Sequence, residues 1–249
     1  MARTPNPLAA PGGAMGYSPL YLQVKQQLLD KMIAGDWPPG ALLPSEQQLG
    51  LLMGVSQGTV RKALDALANE NIVVRHQGRG TFVAEHDQRR TLFQFFKLVD
   101  TDGELRFPET VFSRLDLVTA SPEERAAFGL SKNARIWHIY RHRALKGKVT
   151  LTERVSLVAE RFPKLDAHVP LPNNVYQLYE RDYGTTIARA VENLRAVSAS
   201  SEDAKVLGCA IGDPLLQIDR RAFALDGSLA ELRQTNCLTN GFTYLSDLT

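Results

Sequence analysis

Two helix start signals close together near the N-terminus constrain this chain more than any other feature. Ser45 and Ser56 each stand where a serine hydroxyl can cap a helix, and Gly54 between them interrupts the helical pattern. The second helix begins with polar side chains, among them Arg61. Two short helices joined by a tight glycine-containing turn, the second with polar groups at its start, are typical of proteins that read the major groove of DNA.

A helix before this pair and a hairpin after it complete the predicted unit. Apolar residues recur at helical spacing from Leu20 to Ile33, and Gly35 ends that helix. Two short apolar strands flank the sequence Gln77-Gly78-Arg79-Gly80. Three helices followed by a hairpin predict a winged helix-turn-helix, and its basic tip suits the DNA backbone or the minor groove.

The charge of the whole chain does not by itself indicate nucleic-acid binding. Its 249 residues carry a formal net charge of only +2. Arg61, Lys62, Arg75 and Arg79 lie within a short stretch, however. Attraction to DNA therefore has to come from this local cluster of cations.

Cysteine usage and hydropathy indicate the compartment. Cys209 and Cys237 stand far apart and fit no metal-ligand spacing, so we expect reduced thiols, no metal and no cofactor. No run approaches the roughly 18 apolar residues of a membrane helix, and the N-terminus lacks the apolar core of a secretory signal. We therefore expect a cytoplasmic protein without a membrane partner.

The pattern along the chain predicts two domains. Residues 1–17, rich in Pro, Gly and Ala, predict a disordered tail. Residues 18–84 are the winged helix-turn-helix, 85–91 a charged linker, and 92–249 a second domain of strands and short helices. The expected fold class is α+β, with a mixed α/β second domain built on an antiparallel sheet. Its expected elements are hairpin strands 136–145 and 149–158, hairpin strands 215–225 and 229–238, and helices after Ser121, over 174–183 and over 201–207.

Strand alternation in the first of these hairpins puts Arg141 and Arg143 on an otherwise apolar face. A three-residue loop sets Arg141 opposite Glu153, with Cβ atoms about 5 Å apart. A two-residue loop would set Arg141 opposite Arg154 and bring like charges together. Charges on an apolar face are costly to bury unless they are paired or liganded. The hairpin therefore predicts either a structural Arg141–Glu153 ion pair, with Arg143 in solvent, or a ligand pocket.

Several motifs of the first 84 residues stand in register with one another. Together they resemble the DNA-binding domain of GntR-type bacterial transcription regulators, and their number makes the resemblance specific. The motifs are Pro19-Leu20-Tyr21, Gly35-Asp36-Trp37-Pro38-Pro39-Gly40, Leu43-Pro44-Ser45-Glu46, Val55-Ser56, Thr59-Val60-Arg61-Lys62-Ala63-Leu64 and Gln77-Gly78-Arg79-Gly80-Thr81-Phe82-Val83.

The second domain resembles, more loosely, the UTRA effector-binding domain of the HutC subfamily. The resemblance implies a chorismate-lyase-like fold and a homodimeric repressor that leaves a palindromic operator in double-stranded DNA when a small metabolite binds. The motifs that carry it are Ile139-Tyr140-Arg141-His142-Arg143, Leu151-Thr152-Glu153-Arg154, Tyr183-Gly184, Ile187-Ala188-Arg189-Ala190 and Gly212-Asp213-Pro214-Leu215-Leu216.

The resemblance also implies which residues contact DNA. Arg61 is the candidate for a bidentate guanine contact, because its rigid fork matches O6 and N7. On the alternative interpretation, the polar residues are only helix caps and a solvated face. The candidate contacts are Ser45, Gln47, Ser56, Gln57, Thr59, Arg61, Gln77, Gly78 and Arg79.

Two positions depart from the family pattern. Many relatives carry arginine where this chain has Gln47 and Gln57. Glutamine suits adenine N6 and N7 rather than guanine, and the loss of two cations weakens the phosphate contribution. We therefore predict an operator that depends less on guanine at the corresponding positions.

The effector candidates combine the strand-face argument with the resemblance. Two arginines favour an anionic group such as a carboxylate or phosphate, held bidentately. Phosphosugars, amino-acid derivatives and aromatic acids all meet this requirement. The candidates are Arg141, Arg143, Glu153, Tyr183, Arg189 and Glu231.

Two other functions compete with a ligand-responsive repressor. A lyase-like enzyme could bind a carboxylate substrate through Arg141 and Arg143 and take an acid from Glu153. The sequence shows no nucleophile–base motif, phosphate loop or metal spacing in support of one, so we expect no enzyme. A DNA-bound regulator without an effector is the other alternative.

Overall fold

The computed structural model describes residues 18–85, 95–100, 102–103 and 106–246. The tail predicted over 1–17 and residues 86–91 of the linker predicted over 85–91 lie outside these residues. The first described part is a winged helix-turn-helix, as predicted. Its elements are α1 (Leu20–Ile33), α2 (Glu46–Met53), α3 (Gln57–Asn69) and the antiparallel strands β1 (Val73–His76) and β2 (Gly80–Val83).

Local capping explains where the helix-turn-helix bends. The Ser45 hydroxyl accepts from the backbone N–H of Gln48, whose side chain accepts from the N–H of Ser45. Gly54 ends α2 in the left-handed conformation, and Ser56 caps α3. A Cβ on Gly50 would lie 2.9 Å from the carbonyl oxygen of Val55. Glycine at this position therefore lets α2 approach the turn closely.

The second domain is built on a six-stranded antiparallel sheet, which confirms the predicted fold class. The strands lie in the order β4-β5-β6-β9-β8-β7, and a separate pair, β3 and β10, ties the start of the domain to its end. The strands are β3 (Leu98–Asp100), β4 (Glu109–Thr119), β5 (Arg135–Leu145), β6 (Lys148–Val158), β7 (Ile187–Ser198), β8 (Pro214–Ala224), β9 (Leu229–Cys237) and β10 (Phe242–Tyr244).

Three α-helices of the second domain cover the two faces of this sheet. Helix α5 (Val175–Tyr183) packs Tyr176 and Tyr179 on the inner face, against Ile139 and Val155. A short 3₁₀ helix (Leu165–His168) joins the same core. Helices α4 (Pro122–Phe128) and α6 (Ser201–Leu207) lie on the outer face.

Two carboxylates, the buried Glu124 and the half-buried Asp203, fix the two outer helices to the sheet. Glu124 of α4 accepts hydrogen bonds from Ser156 and contacts His138, each with a separation of 2.7 Å. Asp203 of α6 accepts from Thr152 and Asn236, on the neighbouring strands β6 and β9.

The β5–β6 turn is shorter than predicted, yet Arg141 lies opposite Glu153 as predicted. Residues 145 and 148 pair, so the loop is Lys146-Gly147 with φ of 51° and 76°. The expected three-residue loop is therefore wrong. A bulge after Arg143 inserts one residue into β6 and restores the register, so that Arg141 lies opposite Glu153 and Tyr140 opposite Arg154.

Candidate functional site

The candidate DNA contacts lie on one side of the helix-turn-helix and at the tip of the wing. All are exposed except Thr59, which is half-buried. The Ser56 hydroxyl accepts from the Thr59 N–H at 3.2 Å and lies 3.0 Å from the Thr59 hydroxyl. The Ser45 and Ser56 hydroxyls therefore act as helix caps, and the exposed first turn of α3 presents its remaining polar groups outward.

Glu46 lies at the centre of this surface. Its carboxylate accepts from Arg61 Nε at 3.0 Å and from Arg61 Nη2 at 2.8 Å. Gln57 donates to it at 3.2 Å, and Arg75 of β1 lies 3.6 Å away. The hydrogen bond from Arg61 lowers the pKa of Glu46 despite its partial burial, and Glu46 raises the pKa of Arg61. Sequence reasoning named Glu46 as part of a motif and missed this cluster.

The wing tip depends on its glycines. Gly78 has a φ of 71°, and a Cβ on Gly80 would lie 2.7 Å from the Leu42 side chain. The guanidinium of Arg79 lies 5.9 Å from the ring centre of Phe82. Gln77 and Gly78 are thereby held at the exposed end of the hairpin.

In the second domain, the buried side chains of Arg141 and Arg143 both contact the buried Glu153. Arg141 Nη2 lies 2.7 Å from Glu153 Oε2, and Arg143 Nη1 lies 3.4 Å from the same oxygen. Arg143 also donates to the Pro108 carbonyl at 2.6 Å and to the Asn173 side chain at 3.2 Å. Arg143 is only 2% exposed, so the interpretation that left it in solvent is wrong.

Glu231, on the neighbouring strand β9, extends this buried cluster. It accepts from the hydroxyls of Tyr176 and Tyr179, each at 3.0 Å, and from Arg233 through two bonds of 2.9 Å. Arg233 Nη1 also lies 3.4 Å from Glu153. Sequence reasoning missed Arg233, although its spacing of two from Glu231 on a predicted strand could have revealed it.

Arg220 joins the cluster to the segment that begins at Phe95. It donates to Glu192 at 2.7 Å and to the Tyr176 hydroxyl at 3.4 Å. Its Nη2 donates to the backbone carbonyl of Phe95. Glu192 in turn accepts from the hydroxyl of Tyr244 on β10. Sequence reasoning did not single out any of these residues.

The charges of the cluster shift its pKa values strongly. Burial alone would raise the pKa of Glu153, but the guanidinium groups of Arg141, Arg143 and Arg233 outweigh it and hold that pKa well below its usual range. Burial lowers the pKa of Arg143 to about 9, and repulsion from Arg141 and Arg233 adds to the effect against the attraction of Glu153.

A small cavity lies against these arginines. Its volume is about 20 Å³, enough for roughly one water molecule. Arg141, Arg143, Arg220 and Arg233 contribute to its walls. Its aromatic lining comes from Phe95, Phe96, Phe107 and Tyr176.

The structure does not bring Tyr183 and Arg189 to this cavity. Tyr183 packs on Phe162, and its buried hydroxyl has no hydrogen-bond partner among the described residues. Arg189 stacks on Phe223, 4.3 Å from the ring centre, in a cleft of about 630 Å³ between the two domains. The described contacts give no support for assigning either residue to the same site as Arg141.

A search of the described residues finds no group of three or more side chains placed to hold a metal ion. Within the same ranges, no helix is long and apolar enough to span a membrane.

A winged helix-turn-helix joined to an antiparallel-sheet domain indicates a DNA-binding transcription regulator. The comparisons with known families agree. Residues 20–83 match the model of bacterial regulatory proteins of the gntR family, and residues 105–243 match the UTRA domain. The chain belongs to the GntR family, in the HutC subfamily whose members carry a UTRA domain.

Similar proteins span nearly the whole chain. The mannosyl-D-glycerate transport/metabolism system repressor MngR of Escherichia coli is 27% identical over 234 residues, covering 92% of this chain and 96% of that protein. The histidine utilization repressor of Pseudomonas aeruginosa is 29% identical over 228 residues, covering 88% and 87% respectively. Both relatives are named as repressors.

Solved structures share the fold. The ligand-binding domain of a GntR-family regulator from Bordetella bronchiseptica superposes with a TM-score of 0.57 at 28% identity, covering 61% of this chain and 96% of that chain. PhnF from Mycobacterium smegmatis matches at 22% identity with a TM-score of 0.53, covering 91% and 99%. The second likeness extends over both domains.

Proposed function

We propose that this regulator is a repressor whose affinity for its operator is controlled by a small anionic metabolite bound beside Arg141 and Arg143. The observation that carries the proposal is the burial of these two guanidinium groups at the edge of a cavity. The Nε atoms of both have no hydrogen-bond acceptor among the described residues. A buried donor without a partner is costly, and an anion in the cavity would supply the missing acceptors.

The balance of charge supports an anion rather than a cation. Four guanidinium groups, those of Arg141, Arg143, Arg220 and Arg233, meet the three carboxylates of Glu153, Glu192 and Glu231 in the cluster as described. Every one of these arginines contacts a carboxylate, but Arg141 and Arg143 share Glu153, so the cluster keeps a net charge of about +1. Burial is the main cause of the lowered pKa of Arg143, and repulsion from Arg141 and Arg233 adds to it.

The cavity has to open before a metabolite can enter, and this links binding to the DNA-binding domain. Phe95 and Phe96 stand directly after the stretch that joins the two domains, and both line the cavity. Arg220, which also lines it, holds the Phe95 carbonyl. A ligand that drew Arg220 and the two phenylalanines into new positions would shift the end of that stretch. Binding would then favour a domain arrangement different from the one that fits DNA.

A homodimer on a palindromic operator completes the proposal. One small wing domain gives modest affinity, whereas two on adjacent half-sites reach the range of specific binding. Such a regulator acts on the chromosome and hence in the cytoplasm. The DNA contacts would be the exposed residues of α2, α3 and the wing tip named above.

The relatives suggest where the ligand search should start. Repressors named for mannosyl-D-glycerate, fructoselysine and histidine are similar to this chain, and each of these compounds carries a carboxylate. The test is a thermal-shift screen of carboxylates and phosphate esters on the full chain, with the corresponding amides and dephosphorylated compounds as controls. A ligand at a hundred times its dissociation constant adds about 2.7 kcal/mol of stability. We expect an anionic hit that also weakens operator binding.

Arg141→Ala should abolish the shift caused by the hit while DNA binding persists. Arg195→Ala, which removes an exposed arginine paired with Asp219 on the outer strands, is the control and should respond normally. A normal response of Arg141→Ala would contradict the site. If no metabolite changes either the melting temperature or operator affinity, the protein is a regulator without an effector.

A further inference from the structure

We propose that Glu46 is a positioning residue for base reading, which holds Arg61 by one edge of its guanidinium group and leaves the other edge free for guanine. The inference rests on the proposed DNA contact of Arg61. It goes beyond that contact because Glu46 itself need not touch DNA.

The atoms involved determine which edge stays free. Glu46 Oε2 accepts from Arg61 Nε at 3.0 Å and from Nη2 at 2.8 Å. A guanidinium group has five N–H donors in a rigid fork, and this contact uses two of them on the Nε side. Both Nη1 hydrogens and the outer Nη2 hydrogen point away from Glu46. This end of the fork is the one that can meet O6 and N7 of a guanine in the major groove.

The same carboxylate connects three elements of the DNA-binding domain. Glu46 begins α2, Arg61 lies on α3, and Arg75 lies on the wing strand β1, 3.6 Å from Glu46 Oε1. Asp65 holds the other side of Arg75 at 2.6 Å. Glu46 therefore fixes the recognition helix and the wing relative to each other through side chains that face the same surface.

Electrostatics alone does not favour a carboxylate at this position. A negative charge near the DNA surface opposes phosphate binding, which gains from every added cation. The carboxylate compensates for this cost because it orders the long side chains of Arg61 and Arg75 before DNA binds. These side chains would otherwise lose much rotamer freedom on binding. Glu46 should consequently lower affinity for any DNA while raising discrimination between sequences. This pair of opposite effects distinguishes positioning from a simple structural role.

The experiment measures both effects, on affinity for any DNA and on discrimination between sequences. The wild-type chain first selects a duplex from a random library, and dissociation constants are then measured for this duplex and for a scrambled one at a fixed salt concentration. We expect Glu46→Gln to bind the scrambled duplex as tightly as wild type or more tightly. Its ratio of specific to non-specific affinity should fall at least tenfold, and library selection by the variant should show weaker guanine preference at one position of each half-site.

Two further variants separate charge from geometry. Asp65→Asn changes the charge by the same amount, but Asp65 forms its ion pair with Arg75 and acts on Arg61 only through space. Its affinity ratio should therefore stay within threefold of wild type. Glu46→Asp keeps the charge and shortens the side chain by one methylene. It should lose discrimination as Glu46→Gln does, without gaining affinity for the scrambled duplex.

Because both affinities come from one preparation, a partly unfolded fraction cancels in their ratio. A ratio for Glu46→Gln within twofold of wild type would overturn the role of Glu46, as would an equal loss in Asp65→Asn. A wild-type chain that selects no sequence would instead overturn the proposed DNA reading itself.

Discussion

Both domains surround carboxylates with arginines, yet they do so in opposite environments. In the DNA-binding domain, Glu46 receives Arg61 and Arg75 at an exposed surface, where the Arg61 side chain is 56% exposed. In the second domain, Glu153 receives Arg141 and Arg143, both almost fully buried. The residue types are the same in the two clusters, so the clusters differ in how far their charges are buried.

Burial changes what such a cluster can do. An exposed salt bridge contributes at most about 1 kcal/mol to stability, whereas removing one partner of a buried pair costs about 3–5 kcal/mol. An exposed arginine can therefore exchange its carboxylate for a DNA base or phosphate at low cost. A buried arginine can release its partner only if another anion replaces it. The exposed cluster suits reversible contact with a polymer, and the buried one suits the recognition of a small anion.

The largest expected change in the free energy of unfolding comes from a substitution in the buried cluster. Glu153→Gln keeps the shape of the side chain but leaves Arg141, Arg143 and Arg233 without their shared carboxylate. Breaking a buried pair in this way costs about 3–5 kcal/mol. Urea denaturation in a Trp37→Phe background would report on the second domain through the buried Trp137.

The matched control for that measurement is Asp219→Asn in the same domain. Asp219 pairs with Arg195, whose side chain is 59% exposed. Loss of an exposed pair costs at most about 1 kcal/mol. Equal losses in the two variants would contradict the distinction between the clusters.

A smaller effect is expected at the tyrosines. The buried Tyr179 hydroxyl donates to Glu231, and Tyr179→Phe should destabilise the domain by about 1.5–3 kcal/mol because a hydrogen bond to a charged group is lost. Tyr183→Phe removes a buried hydroxyl without a described partner and should be neutral or slightly stabilising. Denaturation midpoints of the two variants check this order. A loss of effector response in Tyr183→Phe would restore Tyr183 to the predicted site.

The smallest effect concerns the exposed surface. Gln57→Arg adds one cation at the first turn of α3, next to Glu46. The slope of log affinity against log salt should steepen by about 0.9, the value for one added phosphate contact. Library selection should move from adenine towards guanine at one position of each half-site. An unchanged slope together with unchanged selection would show that Gln57 does not face DNA.

The DNA-binding domain was predictable because its signals are local. Serine caps, a glycine turn and helical periodicity each act within one or two turns of chain, and they place α2 and α3 correctly. Strand alternation also predicted the faces on which Arg141 and Glu153 lie. Their predicted pairing depended on a turn length that is wrong, and the structure shows it because a bulge compensates for the missing residue.

The edge strands and the full arginine cluster were not predictable in this way. Strands β4 and β7 lie at the two sides of the sheet, and their outward residues give no clear alternation of apolar and polar side chains. Arg220 and Phe95 meet across 125 residues of sequence. No local pattern records a contact of that range.

The sequence by itself determined the class of this protein, because capping, turn and strand-face rules depend on neighbouring residues. It also determined that Arg141 and Glu153 lie on apolar faces of the two strands of one hairpin. Only the tertiary structure decided that Arg143 is buried, that Arg220 and Arg233 join it, and that Glu46 holds Arg61 by one edge. These features arise where distant segments pack together, and burial then sets the strength of each charge.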